Sequence, residues 1–176
     1  MLGLLFVVSL CVFNFTVYVP LLARHVLGLG AEGFGFLMAA LGVGAVAGAF
    51  TVGMLGSREP PLTGIFAAAV ALTGLLGLGM VRHVWTAVPL LVVTGYFGIV
   101  LVASCNTAMQ LIAPDALRGR VMSLYTWVHG GVFPIGAFLV GAISQAASVS
   151  TAFLCAGSFG LLALTGLMLW WALRRD

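Results

Sequence analysis

The sequence predicts an all-α integral membrane protein with six transmembrane helices. Of its 176 residues, 62% are hydrophobic and only 6% are charged, whereas soluble domains have about 25% charged residues. Apolar runs of about 20 residues, the length that spans a bilayer, recur along the whole chain with short connectors between them. Glycine is unusually frequent, at 24 residues, and small residues allow membrane helices to pack closely.

The six predicted spans follow one another without room for a separate soluble domain. Residues 1–176 are therefore predicted to form a single six-helix domain. The first apolar run lacks a basic region before it and is too long for the core of a signal peptide, so it is predicted as a spanning helix. The predicted spans are Leu2–Ala23, Gly33–Leu55, Leu62–Val81, Ala87–Ile112, Val121–Ser144 and Thr151–Leu173.

The arginines predict the orientation, because cytoplasmic loops carry an excess of Lys and Arg. Five of the seven basic residues, among them Arg58, Arg118 and Arg120, fall on the side that also holds both termini. Arg24 and Arg82 fall on the opposite side. The sequence therefore predicts a multi-pass membrane protein with both termini in the cytoplasm.

The second span carries a pattern of small residues. Gly44 and Gly48 form a G-x-x-x-G pair, and Ala40 continues the same face one turn earlier. Such faces stabilise helix pairs in lipid because they let the two backbones approach. The pattern predicts tight packing and says nothing about a transported compound.

Polar side chains form matching faces on the first and fourth spans. Asn14 and Tyr18 are four residues apart, and so are Asn106 and Gln110, which places each pair on one helix face. Polar residues at membrane depth usually face the bundle interior or a water-filled cavity. Two interpretations remain open: a shared substrate cavity, or hydrogen bonds between helices.

The fifth span contains His129 and Pro134. His129 is the only histidine, Lys, Arg, Asp or Glu well inside a predicted span. A proton-carrying histidine titrates near neutral pH; the other interpretation is a neutral packing residue, since no Asp or Glu occurs within any span to pair with it. Pro134 is predicted to break the helix.

No pattern for catalysis or metal binding is present. The four acidic residues are scattered over connectors and the last position, and the three histidines have no metal-ligand spacing such as H-E-x-x-H. Cys11, Cys105 and Cys155 lie in apolar runs. The net charge of +3 is dispersed, unlike the clustered basic residues of nucleic-acid-binding proteins. We therefore expect no enzyme activity, no metal, no cofactor and no nucleic-acid partner.

Two stretches resemble the major facilitator superfamily of transporters. The connector and helix start APDALRGRVMSLYT resembles the loop entering the penultimate span of that family. The stretch NFTVYVPLLARHVLGLGAEGFGFLMAALGVGAVAGA resembles its seventh and eighth helices, in the branch with enterobactin-exporter-like and macrolide-efflux-like proteins. The resemblance covers essentially the whole chain. It implies the C-terminal half of a twelve-helix bundle, built from two inverted three-helix repeats.

One family motif is eroded. The signature loop G-x-x-x-D-R-x-G-R-[RK] is matched only at Gly53 and Arg58, because Ser57 replaces the aspartate and Pro60 the second glycine. This departure is common in C-terminal halves of the family, but it means that the chain lacks the set of loop residues that the motif would supply to a gate.

The resemblance implies a secondary active transporter of the plasma membrane, exporting small amphipathic molecules by alternating access. Its expected partners are the lipid bilayer, a small-molecule substrate, and an N-terminal six-helix half or a second copy. Alternatives are a non-transporting structural or assembly protein, or an inactive transporter fragment. The family lines its substrate cavity with the helices that here carry Asn14, Tyr18, Asn106 and Gln110.

The charged connector has two interpretations. The resemblance implies a cytoplasmic gate, and the other interpretation is the orientation signal alone. The residues expected in this loop and gate are Arg58, Asp115, Arg118 and Arg120.

Overall fold

The computed structural model describes residues 2–55 and 61–173 of the chain. Within these ranges the chain is helical, without strands, and contains eight α-helices. These helices build six segments that are long and apolar enough to cross a membrane, as the sequence predicts. The segments are Gly3–Val26, Ala31–Met54, Leu62–Met80, Val84–Ile112, Asp115–Ala146 and Val149–Leu173.

The first span is interrupted. Helix α1 covers Leu2–Cys11, α2 covers Phe15–Leu21, and a π-helical turn follows at Leu22–Val26. The interruption has a local cause, because the side-chain amide of Asn14 donates to the carbonyl oxygen of Leu10 at 2.8 Å. In a continuous helix that carbonyl would accept the backbone N–H of residue 14.

The first span ends at Gly28, whose φ is +64°. Residues other than glycine rarely adopt this conformation. The backbone N–H of Leu29 donates to the carbonyl oxygen of Ala23 at 2.8 Å, a return that resembles the Schellman cap of helix ends. The sharp turn leads directly into α3, Ala31–Leu55.

Helices α3 and α5 touch backbone to backbone. Helix α4 covers Pro61–Met80 and α5 covers Val84–Ile112. A Cβ atom added at Gly44 or Gly48 of α3 would overlap backbone carbonyl groups of α5. The G-x-x-x-G pair therefore packs as the sequence predicts, by removing the side chain from the contact.

Helix α8 covers Val149–Leu173, and its glycines also allow close packing, here against α4. The side chains of Leu72 and Leu76 on α4 occupy the space that Cβ atoms at Gly157 and Gly160 would take. Close packing of this kind stabilises helix pairs in lipid.

The fifth span consists of two helices, α6 at Arg118–Gly131 and α7 at Phe133–Ala146. Pro134 is near the start of α7, where the missing backbone N–H of proline is tolerated. In a continuous helix that N–H would bond to the carbonyl of Gly130, so proline and the neighbouring glycines together disfavour an unbroken helix. The break lies at Val132.

The connector before α6 corrects one expectation. Asp115–Arg120 was expected to be a loop, but Asp115–Leu117 form a 3₁₀ turn and α6 begins directly at Arg118. An acidic residue at a helix start interacts favourably with the positive end of the helix dipole. The fifth segment therefore begins at Asp115, earlier than the predicted Val121.

The core lies among the first, third, fourth and sixth spans. Its fully buried side chains include Leu5, Val8, Tyr18, Leu72, Leu101 and Phe153. The fifth span contributes least: 17% of its most apolar stretch is buried, against 61% for the first span. Much of the surface of the fifth span is consequently open.

Candidate functional site

Two amides on α5 begin a polar surface. Gln110 lies near the end of α5 and Asn106 one helical turn deeper, and the Gln110 side-chain amide donates a hydrogen bond to Asn106 Oδ1. Gln110 is exposed and Asn106 is half-buried. Because polar side chains are unfavourable against hydrocarbon, this side of α5 suits contact with water or protein better than contact with lipid.

Tyr125 on α6 continues this surface toward the middle of the bundle. Its hydroxyl donates to the carbonyl oxygen of Val102 on α5 at 3.3 Å, and Asn106 lies beside the same hydroxyl. The ring of Tyr125 is only 6% exposed. Tyr125 therefore links α6 to α5 at the level of Val102 and Asn106.

His129, one turn beyond Tyr125, connects α6 to α1. Its Nδ1 atom lies 3.1 Å from the hydroxyl oxygen of Ser9. The ring of Phe13 meets the imidazole edge-on at 5.0 Å, and the ring of Tyr125 stacks on it at 6.0 Å. We call the row of polar side chains formed by Ser9, Asn106, Gln110, Tyr125 and His129 the polar face; it runs from the exposed Gln110 to the buried Ser9.

Asn14 and Tyr18 lie apart from the polar face. Asn14 is fully buried against Gly136 of α7, and its Oδ1 has no hydrogen-bond partner among the described residues. Tyr18 is also fully buried and stacks on Phe153 of α8, with ring centroids 4.5 Å apart. The four predicted cavity residues therefore do not share one open surface, and their contact with substrate stays a prediction.

Ser9 was not among the predicted site residues. It is fully buried, and it is the residue of the polar face that comes from the first span. The available signal was a lone hydroxyl within the apolar run LGLLFVVSLCVF. Its partner is 120 residues away, so no local spacing could have joined the two.

The charged residues are exposed at the start of α6. Arg118 forms an ion pair with Asp115 at 2.7 Å, with the two side chains 52% and 91% exposed. Exposed pairs of this kind contribute little to stability. Arg120 is exposed and has no ion pair among the described residues, while Arg58 lies outside the described residues. Their assignment to a gate stays a prediction.

The fold and the sequence can be compared with known proteins. Residues 3–175 match the family described as transmembrane secretion effector, which is part of the major facilitator superfamily. The chain belongs to this family. The resemblance to the major facilitator superfamily is thereby confirmed, and the family consists of membrane transport proteins rather than enzymes.

Curated relatives confirm the resemblance to enterobactin-exporter-like proteins. The chain is 31% identical over 144 residues to the enterobactin exporter EntS of Shigella flexneri and to that of Escherichia coli O139:H28 (strain E24377A / ETEC). The aligned region covers 80% of this chain but 34% of each relative. The chain therefore spans about a third of the length of the curated relatives that it matches. No solved structure matches the chain.

Proposed function

We propose that the chain is part of a secondary active transporter that exports small amphipathic molecules. The observation that carries this proposal is the polar face, where Asn106, Gln110, Tyr125 and His129 line one side of the least buried span and its neighbour. One exposed and one half-buried amide at this position are better suited to a cavity than to contact with lipid. Membership of a transporter family supports the same conclusion.

The chemistry of the polar face favours a neutral or weakly charged substrate. Its side chains are two amides, a phenol, a hydroxyl and an imidazole, with the aromatic ring of Phe13 beside them. These groups exchange hydrogen bonds and stack on apolar rings, but none supplies a carboxylate or an ammonium group. Two relatives are named as exporters of enterobactin, so enterobactin is a suitable first substrate to test with this chain.

Transport by alternating access needs a second group of helices opposite the polar face. In transporters of this architecture the substrate lies near the midplane, at the interface of two repeats. We propose that an N-terminal six-helix half, or a second copy of the chain, covers the open surface of α6 and α7. The complete transporter would lie in the plasma membrane, with Arg58, Asp115, Arg118 and Arg120 at its cytoplasmic gate.

The test is flux through reconstituted protein. The chain is placed in liposomes alone and together with an N-terminal six-helix half, and the movement of enterobactin and of Nile red, a neutral amphipathic dye, is measured. We expect flux from the pair, or from the chain alone if two copies suffice. Absence of flux in both preparations would favour a non-transporting structural protein or an inactive fragment.

Variants locate the substrate surface. Asn106→Ala and Gln110→Ala should reduce flux about tenfold, the factor that corresponds to about 1.4 kcal/mol of lost interaction. Thr165→Ala is the control, because Thr165 is an exposed polar residue of α8, outside the polar face and outside the open surface of α6 and α7. Normal flux in both α5 variants would remove these residues from the substrate surface.

A further inference from the structure

The imidazole of His129 is held from three sides. Ser9 approaches Nδ1 at 3.1 Å, Phe13 meets the ring edge-on, and Tyr125 stacks on it. These contacts come from α1, from the segment after α1, and from α6 itself. The orientation of the ring is therefore fixed before any substrate binds.

The environment of Ser9 decides where the imidazole carries its proton. Ser9 is fully buried, and among the described residues its hydroxyl has His129 Nδ1 as its hydrogen-bond partner. A buried hydroxyl proton without an acceptor is unfavourable, so the favoured arrangement has the hydroxyl of Ser9 donating to Nδ1. A neutral imidazole that accepts at Nδ1 carries its hydrogen on Nε2.

The Nε2–H group is left available for a ligand. Nε2 has no hydrogen-bond partner among the described residues, and the imidazole keeps partial exposure on the polar face. The acidic residues of the described chain, Glu32 and Asp115, stand at the starts of helical segments, so no carboxylate from either reaches this depth to hold an imidazolium.

We infer that His129 contacts the cargo as a neutral N–H donor and that Ser9 is the positioning residue that fixes this tautomer. The inference rests on the proposed transport function and adds a requirement on the substrate. The cargo carries an oxygen acceptor, such as a carbonyl, ether or phenolic oxygen, at the end that reaches the middle of the bundle. His129 then acts as a recognition group and does not carry protons.

The first experiment reads the tautomer without any cargo. Nitrogen-15 NMR of histidine-labelled chain in bilayers at pH 8 distinguishes a proton on Nε2 from one on Nδ1, and His129→Gln assigns the signal among the three histidines. We expect the Nε2–H form in the parent and in Ser9→Thr, which keeps the hydroxyl. Ser9→Ala should give a mixture of tautomers, and a proton on Nδ1 in the parent would overturn the inference.

The second experiment measures Nile red flux, because this dye carries a carbonyl oxygen. His129→Gln retains an N–H donor near the position of Nε2, so its KM should stay within about threefold of the parent and its pH profile should not change. His129→Leu should raise KM tenfold or more. Equal losses in both variants, or loss of the pH dependence in His129→Gln, would contradict a recognition role.

The two experiments separate failure of the inference from failure of the transport function. A parent with flux but with its proton on Nδ1 overturns the role of Ser9 and His129 alone. If the parent protein shows no flux, alone or with an N-terminal half, the proposed transport function is wrong. The proposed contact between His129 and the cargo is then wrong as well, whichever tautomer is observed.

Discussion

Tyr18 on α2 stacks against Phe153 on α8, with ring centroids 4.5 Å apart and planes 26° from parallel. Both rings are fully buried, and the hydroxyl of Tyr18 has no hydrogen-bond partner among the described residues. The contact is therefore one of packing between the first and last spans.

Replacement of Tyr18 separates packing from substrate contact. Tyr18→Phe keeps the stacked ring and removes a buried hydroxyl that has no partner among the described residues, so it should maintain or raise the unfolding temperature and leave the flux nearly unchanged. Tyr18→Ala leaves a cavity and should destabilise the bundle by about 3–5 kcal/mol. Thermal unfolding in detergent and flux from liposomes measure the two effects. A stable Tyr18→Phe protein with reduced flux would instead assign the hydroxyl to the cargo.

The α3–α5 contact makes Gly44 intolerant of any side chain. A Cβ atom there would overlap the backbone carbonyl of Val92, so Gly44→Ala must separate the helices and should cost about 1–3 kcal/mol. Gly42→Ala is the matched control, because nothing lies within 4 Å of a Cβ atom at that position. Folded yield and unfolding temperature should fall in the first variant only. Equal behaviour of both would contradict the contact.

The turn after the first span depends on the left-handed conformation of Gly28. Gly28→Ala should destabilise the protein by about 1–2 kcal/mol, the penalty for an L-residue in this region. No atom lies within 4 Å of the Cβ position at Gly28 or at Gly30, and only Gly28 has a positive φ. Gly30→Ala should therefore be mild, and denaturant unfolding of the two variants isolates the conformational effect from any clash.

Fusion proteins test the predicted orientation. With both termini in the cytoplasm, a C-terminal green fluorescent protein should fluoresce, and a C-terminal alkaline phosphatase should be inactive. Arg118→Gln combined with Arg120→Gln removes two of the five basic residues on that side and should produce a mixed orientation, because the excess of arginine is then small. Active phosphatase on the parent chain would reverse the assignment.

The fold was largely predictable because hydropathy alone marks a membrane span. All six predicted spans correspond to helical segments, and the G-x-x-x-G pair at Gly44 and Gly48 forms the expected close contact. The start of the fifth span was predicted too late, since charged residues lower the hydropathy of Asp115–Arg120 without preventing helix formation. The charges mark the end of the apolar region and not the end of the helix.

The candidate site was less predictable. Spacing of four residues shows that Asn14 and Tyr18 share a face, but it cannot show which helix that face meets. In the structure the face meets α7 and α8 through Gly136 and Phe153. The pairing of Ser9 with His129 joins residues 120 positions apart, and only the packing of α1 against α6 brings them together.

The direct backbone contact between α3 and α5 has a practical use in spectroscopy. The backbones of α3 and α5 are so close at Gly44 and Val92 that no Cβ atom fits between them, and we therefore expect the separation of the two helices to stay constant. Val43 and Val93 are 63% and 39% exposed beside this contact, which makes them suitable positions for paired spin labels. Such a pair would serve as an internal ruler of fixed length, against which displacements of the loosely packed fifth span can be measured in the same sample.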